Sequence, residues 1–328
     1  MKAVMLLSGG LDSRLAMKLL LEQDVELHAL NHVTVFCTCT RRSSCKHEAV
    51  KAAEEFGVPI TVRNVTEEFL QVVGSPKHGY GSGINPCIDC RIMLFRAARK
   101  LMEEIGARFV ATGEVVGERP MSQARHVMRL IEKESRLLGL VVRPLSAWVL
   151  EPSIPEKEGW VDRSKFKAIT GRRRKPQMDL ARELDIHDYP CPAGGCRLTD
   201  PGFARRMRDL MENEGLSLEN VVLLRVGRHF RLGPSAKLVI GRDEQENRHI
   251  RRLARDGDHL LEAEGVMGPL SLARGALDEE LLRLAAQIAA RYSKGRNSQK
   301  LTVKVAGPRA FCVSVQPAAD GQIAKLRI

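Results

Sequence analysis

The sequence predicts an α/β protein with a doubly wound parallel sheet, followed by a second, smaller α+β domain. Short apolar runs alternate with segments of helical spacing over residues 1–112, which is typical of a parallel sheet covered by helices on both faces. The length of 328 residues suits about two domains. The pattern changes near Gly215, so we place the domains at 1–215 and 216–328.

The elements of the first domain are predicted in chain order from apolar patterning and from turn residues such as Gly57 and Pro59. Strands are expected at 3–7, 25–35, 60–65 and 109–112, and helices at 14–21, 46–56, 67–73 and 91–105. Parallel sheets place ligands beyond the carboxyl ends of their strands. We therefore expect the loops at 8–13, Cys37 and 112–114 to meet at one edge.

The second domain shows a different pattern. Just before it, still within the first domain, Asp200 is expected to cap a helix that ends near Glu212. Beyond it, strands are expected at 221–226 and 237–240, helices at 243–254 and 278–292, and short strands at the end of the chain. Cys312 stands alone in one of these terminal apolar runs and is expected to lie in the core.

Composition and charge narrow the class of protein. Hydrophobic residues make up 44% and charged residues 28%, which argues against disorder and low complexity. The net charge of +12 suits a polyanionic partner or a solvated basic surface, and charge alone leaves both open. No apolar run approaches the ~18 residues of a membrane span, and the first apolar segment runs directly into glycines. We therefore expect a cytoplasmic protein without a membrane partner.

A phosphate-binding loop is predicted at Ser8-Gly9-Gly10-Leu11-Asp12-Ser13, between a strand and a helix. The glycines let the backbone approach phosphate closely, and the helix N-terminus offers unpaired N–H groups. Two serines add hydroxyl donors. The segment has no lysine in the Walker arrangement, so it is not that type of loop.

This segment resembles the PP-loop of the N-type ATP pyrophosphatases, which have the adenine nucleotide alpha hydrolase-like fold. The family splits ATP into AMP and pyrophosphate and activates a carbonyl oxygen by adenylation. The resemblance implies ATP and Mg²⁺ as cofactors, with Asp12 also catalytic. It implies these nucleotide-binding residues: Ser8, Gly9, Gly10, Asp12, Ser13, Asn31, Thr112 and Gly113. Arg119 and Gln123 are further polar candidates for the nucleotide or uridine pocket.

The cysteines indicate a branch of that family. Asn85-Pro86-Cys87-Ile88-Asp89-Cys90 precedes a helix and resembles the Asn-Pro-Asp-x-x-Cys segment of bacterial tRNA 2-thiouridylases. Cys90 falls on that family's cysteine and Cys87 on its aspartate. A distant third cysteine completes the pattern in those enzymes, and the candidates here are Cys191 and Cys196.

Two chemistries remain open for these thiols, beside a pair of unreactive buried thiols. In the first, Cys87, Cys90 and Cys196 hold a [4Fe-4S] cluster, with Cys191 as the substitute ligand; thiolates suit such clusters. In the second, Cys90 and Cys196 form a persulfide and resolving-thiol pair. A second group of cysteines could bind zinc, relay sulfur or serve as small apolar filler: Cys37, Cys39 and Cys45.

The chain between about residues 216 and 305 resembles the NFACT-R RNA-binding domain, formerly DUF814, through the segments 241–247 and 285–293. Four arginines, Arg242, Arg248, Arg251 and Arg252, could contact RNA phosphates or form a solvated helix face.

Together these resemblances imply an ATP-dependent tRNA sulfurtransferase. A uridine carbonyl would be adenylated and the oxygen replaced by sulfur, giving 2- or 4-thiouridine. The implied partners are tRNA and a sulfur donor, either sulfide or a persulfide derived from a cysteine desulfurase. Alternatives are an ammonia-using synthetase, a PP-loop enzyme that sulfurises a small molecule, and a non-catalytic RNA- or ribosome-binding protein.

Overall fold

The computed structural model describes residues 1–37, 45–189 and 195–328, and for Cys45 it describes the backbone alone. The chain divides into two compact units, Met1–Thr199 and Asp200–Ile328. The sequence-based boundary at 215 lies further along the chain, so the helix capped by Asp200 falls in the second unit. Among the described residues, no helix is both long enough and apolar enough to cross a bilayer.

The first unit contains a five-stranded sheet with the order β3-β2-β1-β4-β5, in which neighbouring strands are parallel. Its strands are β1 (Lys2–Leu6), β2 (Glu26–Val33), β3 (Ile60–Asn64), β4 (Phe109–Thr112) and β5 (Val141–Val142). Its helices are α1 (Leu11–Leu21), α2 (Cys45–Glu55), α3 (Thr66–Gly74), α4 (Cys87–Glu104), α5 (Arg125–Glu134), α6 (Ile154–Lys157) and α7 (Lys175–Glu183). The predicted parallel α/β sheet is therefore confirmed.

Helices cover both faces of this sheet because side chains alternate along each buried strand. In β1, Ala3 and Met5 join the core formed with α1, α2 and α7. Val4 and Leu6 point to the opposite face and join the core formed with α4 and α5. This alternation produces the doubly wound arrangement, and it leaves the carboxyl ends of the strands open to the loops.

The second unit contains a six-stranded sheet with the order β11-β10-β8-β9-β7-β6, and its paired strands are antiparallel. Its strands are β6 (Arg228–Gly233), β7 (Ala236–Ile240), β8 (His259–Ala263), β9 (Ser271–Gly275), β10 (Leu301–Ala306) and β11 (Phe311–Val315). Its helices are α8 (Pro201–Asn213), α9 (Leu218–Leu223), α10 (Glu244–Leu253), α11 (Glu279–Arg291) and α12 (Asp320–Leu326). The expected α+β class is confirmed.

Two predictions in this unit are wrong. The apolar run 221–226 is not a strand, because α9 covers Leu218–Leu223 and Ser217 caps it by accepting from the Asn220 N–H. A short apolar run satisfies a buried strand and a buried helix equally well. Cys312 is exposed rather than buried, and its thiol lies 3.7 Å from Glu264 Oε1.

His229 in β6 makes the second unit sensitive to acid. Burial lowers the pKa of His229 from 6.5 to about 3, and the positive charge of Arg206 adds to that effect. The neutral ring donates its Nε2–H to the Val226 carbonyl over 2.8 Å. Since the unfolded chain gains this proton at higher pH than the folded chain, the stabilising contribution is complete above pH 6.5 and falls as the pH drops toward 3.

We expect His229→Gln to reduce this loss of stability in acid, because the amide can donate to Val226 and carries no titrating proton. Urea unfolding of the full chain, measured above pH 6.5 and again midway toward pH 3, checks it. His187→Gln is the matched control, because the His187 side chain is 72% exposed. An equal acid-induced fall in the urea midpoint in His229→Gln and the wild type would contradict the assignment.

Candidate active site

The predicted phosphate loop connects β1 to α1 and is held open by its own side chains. Gly10 is the N-cap of α1 and no side chain caps the helix, so the first-turn N–H groups are available to an anion. Ser13 Oγ donates to the Gly10 carbonyl over 2.8 Å and lies 3.2 Å from Ser8 Oγ. Ser8 Oγ also accepts from the Gly10 N–H over 3.3 Å.

Two glycines are required here because other segments pack directly on them. A Cβ on Gly9, which has φ +81°, would lie 2.6 Å from the backbone nitrogen of Ala49 in α2. A Cβ on Gly113, just after β4, would lie 2.5 Å from the carbonyl oxygen and carbon of Asp12. The loops after β1 and β4 are therefore in backbone contact, as expected for neighbouring strands of a parallel sheet.

A pocket of about 200 Å³ lies between these loops. It is lined by Ser8, Asp12 and Ser13 of the predicted phosphate loop, whereas the predicted Gly9 and Gly10 are not among its lining residues. The other predicted nucleotide-binding residues also line it: Asn31, Thr112 and Gly113. Arg119 and Gln123 also line it. Gln123 Oε1 accepts from the Arg119 N–H over 2.8 Å, so Gln123 fixes the loop that carries Arg119.

Asn31 and His32 stand at the carboxyl end of β2 on the wall of this pocket. Asn31 Nδ2 donates to the Leu7 carbonyl over 2.8 Å, whereas its buried Oδ1 has no hydrogen-bond partner among the described residues. Burial lowers the pKa of His32 to about 4, so the ring is neutral at neutral pH. The two side chains offer uncharged polar groups, which suit a nucleobase.

Asp12 carries the main carboxylate beside the phosphate loop. Burial raises its pKa, while the positive charge of Arg174 opposes the shift and Gln177 hydrogen-bonds to the carboxyl. Glu118 lies close enough to Asp12 for the two carboxylates to influence each other, and burial raises the pKa of Glu118 as well. Oxygen ligands of this kind are those that Mg²⁺ prefers.

Two buried arginines near the pocket escaped the sequence analysis. Arg14 is fully buried in α1, donates from Nε to the Gly9 carbonyl over 3.3 Å and pairs with Glu55 at 2.5 Å. Arg143, just after β5, lies 3.1 Å from Glu114 Oε2 and also pairs with Glu132. The position of Arg14 directly after the loop motif could have indicated that it supports the loop. No such signal exists for Arg143, because its partners are distant in sequence.

The thiols at 87, 90 and 196 come together in the first unit. Cys87 and Cys90 lie in the first turn of α4. Cys196 is close enough to Cys90 to raise its pKa, and Cys87 is close enough to Cys196 to raise the pKa of Cys196. The backbones of Cys196 and Cys37 form an antiparallel β-bridge, and neither cysteine is in a disulfide among the described residues. Beside it, the Arg197 N–H donates to the Phe36 carbonyl over 2.9 Å. Cys37 therefore lies in the same group as Cys196. Its assignment to a second group, with Cys39 and Cys45, is wrong.

The thiols of Cys87, Cys90 and Cys196 are protonated at neutral pH. Burial raises the pKa of Cys90 to about 12 and that of Cys196 to about 11, and it also raises the pKa of Cys87. A neutral thiol is a weak nucleophile, whereas binding to a metal deprotonates it. The donor types therefore suit a thiolate-bound cluster.

Within residues 1–37, 45–189 and 195–328, no three His, Cys, Asp or Glu side chains are placed so that they could hold a metal ion. Three residues that neighbour these thiols in sequence lie outside the described residues: Cys39, Cys191 and Gly194.

Two arginines connect the thiols with the nucleotide pocket. Arg91 follows Cys90 in α4 and lines the pocket, and its positive charge opposes the burial that raises the pKa values of Cys87 and Cys90. Arg119 likewise opposes the burial that raises the pKa values of Asp12, Cys87 and Cys196. The phosphate loop and the thiols thus share one positively charged neighbourhood.

In the second unit, a basic surface surrounds the start of α10. Arg242 pairs with Glu246, Arg248 with Glu244, and Arg251 with Glu262. Arg252 is exposed and has no ion pair among the described residues. Surface ion pairs contribute little stability, so these arginines can exchange their partners for phosphates. A cavity of about 560 Å³ adds further cations to this surface: Arg228, Lys294 and Arg296.

Similarity to known proteins falls on the two parts of the chain separately. Residues 1–149 match the family model described as Thiamine biosynthesis protein (ThiI). Residues 227–327 match the NFACT protein RNA binding domain.

Curated relatives are similar over part of their length. The chain is 29% identical over 203 residues to the tRNA-specific 2-thiouridylase MnmA of Xanthobacter autotrophicus, covering 58% of this chain and 51% of that protein. It is 34% identical over 117 residues to the MnmA of Syntrophotalea carbinolica, covering 33% and 32%. The chain thus spans about half or less of these relatives.

Solved structures show a partial likeness. One is a 4-thiouridine synthetase in complex with RNA and bound ATP, with 24% identity and a TM-score of 0.38, covering 63% of this chain and 49% of that one. Another is the U34-tRNA thiolase NcsA from Methanococcus maripaludis with its [4Fe-4S] cluster, with 21% identity and a TM-score of 0.35, covering 69% and 73%.

A parallel sheet with a lysine-free phosphate loop at its carboxyl edge agrees with the PP-loop fold class expected from the sequence. More narrowly, residues 1–149 are similar to the ThiI family and residues 227–327 to the NFACT RNA-binding domain. The recognition of both domains from sequence is confirmed.

Proposed function

We propose that this chain is an ATP-dependent tRNA sulfurtransferase that replaces a uridine carbonyl oxygen by sulfur. One observation carries the proposal. Arg91 and Arg119 line the nucleotide pocket, and their positive charges are also close enough to the thiols to affect the thiol pKa values. An enzyme that only adenylates its substrate has no use for thiols at this position. The relatives named tRNA-specific 2-thiouridylase support tRNA as the substrate, as does the NFACT RNA-binding domain.

ATP would bind with its phosphates on the loop after β1. The first-turn N–H groups of α1 and the hydroxyls of Ser8 and Ser13 would donate to phosphate oxygens. Asn31 and His32 would face the adenine. Mg²⁺ would be held by the Asp12 carboxylate and would neutralise the leaving pyrophosphate.

In the first step, the uridine carbonyl oxygen attacks the α-phosphate of ATP, and the bond to pyrophosphate breaks. The guanidinium groups of Arg91 and Arg119 would stabilise the charge that develops on the phosphate. In the second step, reduced sulfur held beside Cys90 and Cys196 attacks the activated carbon, and AMP leaves with the oxygen. The oxidation state of the carbon does not change, and a supplied sulfide balances the reaction.

We also propose that Cys87, Cys90 and Cys196 are the ligands of a [4Fe-4S] cluster, with Cys191 as the substitute. A bound cluster would keep these thiols deprotonated and would present sulfur chemistry at this position. Anaerobic reconstitution with iron and sulfide is expected to give visible charge-transfer absorption, and Cys90→Ser is expected to lose it. Wild-type chain that retains thiols but binds no iron would overturn the cluster and leave the persulfide pair.

The function is tested by the tRNA nucleosides of a strain that lacks this chain. Mass spectrometry is expected to show the loss of one thiouridine, and the identity of that nucleoside distinguishes sulfur at C2 from sulfur at C4. Expression of the wild-type chain restores it. An unchanged nucleoside profile in the deletion strain would contradict the proposal.

A further inference from the structure

An open groove beside the nucleotide pocket has no role in the chemistry proposed above. It has a volume of about 740 Å³ and lies between α5 and the segment 147–157. The segment follows β5, which is the neighbour of β4 in the sheet. Arg143 lines the groove and lies 3.1 Å from Glu114, which lines the nucleotide pocket, so the groove and the pocket are adjacent.

An exposed tryptophan lies in this groove. The chain has two tryptophans, and Trp148 is 53% exposed. Arg163 places its guanidinium 5.3 Å from the centroid of the Trp148 ring. Leu138 in the groove is also exposed, at 49%. Exposed aromatic rings beside arginines are the usual platforms on which unpaired nucleic-acid bases stack.

The groove has an excess of free cations. Arg125, Arg129 and Lys157 line it, are exposed, and form no ion pair among the described residues. The acidic residues of the groove are largely neutralised, because Glu132 pairs with Arg143 and Glu156 with Arg163 at 2.7 Å. Of its three carboxylates, this leaves Glu151 without an ion pair among the described residues.

We propose that this groove binds a single-stranded segment of RNA, with one base stacked on Trp148 and with phosphates on Arg125, Arg129 and Lys157. The inference rests on the proposed function and specifies where the first unit holds its RNA substrate. Three unpaired cations around a stacking surface suit a polyanion with unpaired bases. The same cations would also attract an acidic peptide, but an acidic peptide would not require the exposed Trp148 ring.

The test uses Trp148 as a local reporter in the full chain. The variant Trp160→Phe leaves Trp148 as the single tryptophan, and an unmodified tRNA transcript is the probe. Total binding is followed by the anisotropy of labelled tRNA, and binding in the groove by quenching of Trp148 fluorescence. We expect both signals to saturate together. We expect Trp148→Ala to weaken binding about 10-fold, as for the loss of one stacked base.

The double variant Arg125→Ala/Arg129→Ala is expected to remove most of the quenching and to lower the salt slope of binding by about 2, one for each phosphate contact. Lys100→Ala/Arg182→Ala is the matched control, because both side chains are exposed and neither lines the groove, and it should leave the quenching amplitude unchanged. Binding of tRNA without any change in Trp148 fluorescence would overturn the groove and leave the proposed function intact. Failure of the intact chain to bind tRNA would overturn both.

Discussion

Replacing Cys90 by serine is expected to lower tRNA thiolation by on the order of 1,000-fold or more, the scale of losing a residue that holds the reacting group. Cys90 is half-buried at the start of α4, close to the thiols of Cys87, Cys196 and Cys37. A hydroxyl there can carry neither a persulfide nor a cluster iron. Cys196→Ser is expected to have an effect of the same order.

The assay supplies ATP, Mg²⁺, sulfide and an unmodified tRNA transcript under anaerobic conditions and counts thiolated nucleosides by mass spectrometry. Cys312→Ser is the matched control, since Cys312 is an exposed thiol of the second unit, and it should behave as the wild type. ATP binding should survive in Cys90→Ser, because the phosphate loop is untouched. Full thiolation activity in Cys90→Ser would rule out sulfur chemistry at this group.

Replacing Gly113 by alanine is expected to abolish ATP binding. The new Cβ would lie 2.5 Å from the Asp12 carbonyl and 2.6 Å from the Ser13 nitrogen, and backbone atoms cannot rotate away as a side chain can. The first turn of α1 would have to move, taking the phosphate donors with it. Overpacking of this kind also costs about 3 kcal/mol of the free energy of unfolding.

Equilibrium binding of a fluorescent ATP analogue and a urea unfolding curve measure the two effects separately. Gly321→Ala is the control, because nothing lies within 4 Å of a Cβ at that helical position. It should bind ATP normally and gain a little stability, since alanine is favoured over glycine in helices. Normal ATP affinity in Gly113→Ala would show that the contact between the two loops is dispensable.

The parallel sheet and its loops could be predicted from the sequence because both depend on local patterns. The period of apolar residues marks β1 and α1, and the carboxyl-end rule brings the Gly9 and Gly113 loops together without knowledge of side-chain packing. The run at 221–226 was misassigned for the same reason, since its residues suit a buried strand as well as α9.

The charge network and the grouping of the thiols could not be predicted this way. Arg143 meets Glu114 and Glu132 through the tertiary fold, and no spacing along the chain encodes that triad. Cys37 was assigned to a separate group because it is near Cys39 and Cys45 in sequence. Its backbone β-bridge to Cys196 spans nearly half the chain, and such contacts follow from the assembled sheet.

The backbone β-bridge between Cys37 and Cys196 also affects the order in which the parts of the first unit can fold during synthesis. During synthesis the strands β1 to β4 leave the ribosome long before residue 196, and domains fold from the N-terminal side as they emerge. A nascent chain that ends shortly after Gly113 already contains the phosphate loop and its backbone contact. The group of thiols that includes Cys37 and Cys196 is complete only when the last residues of the first unit have been translated.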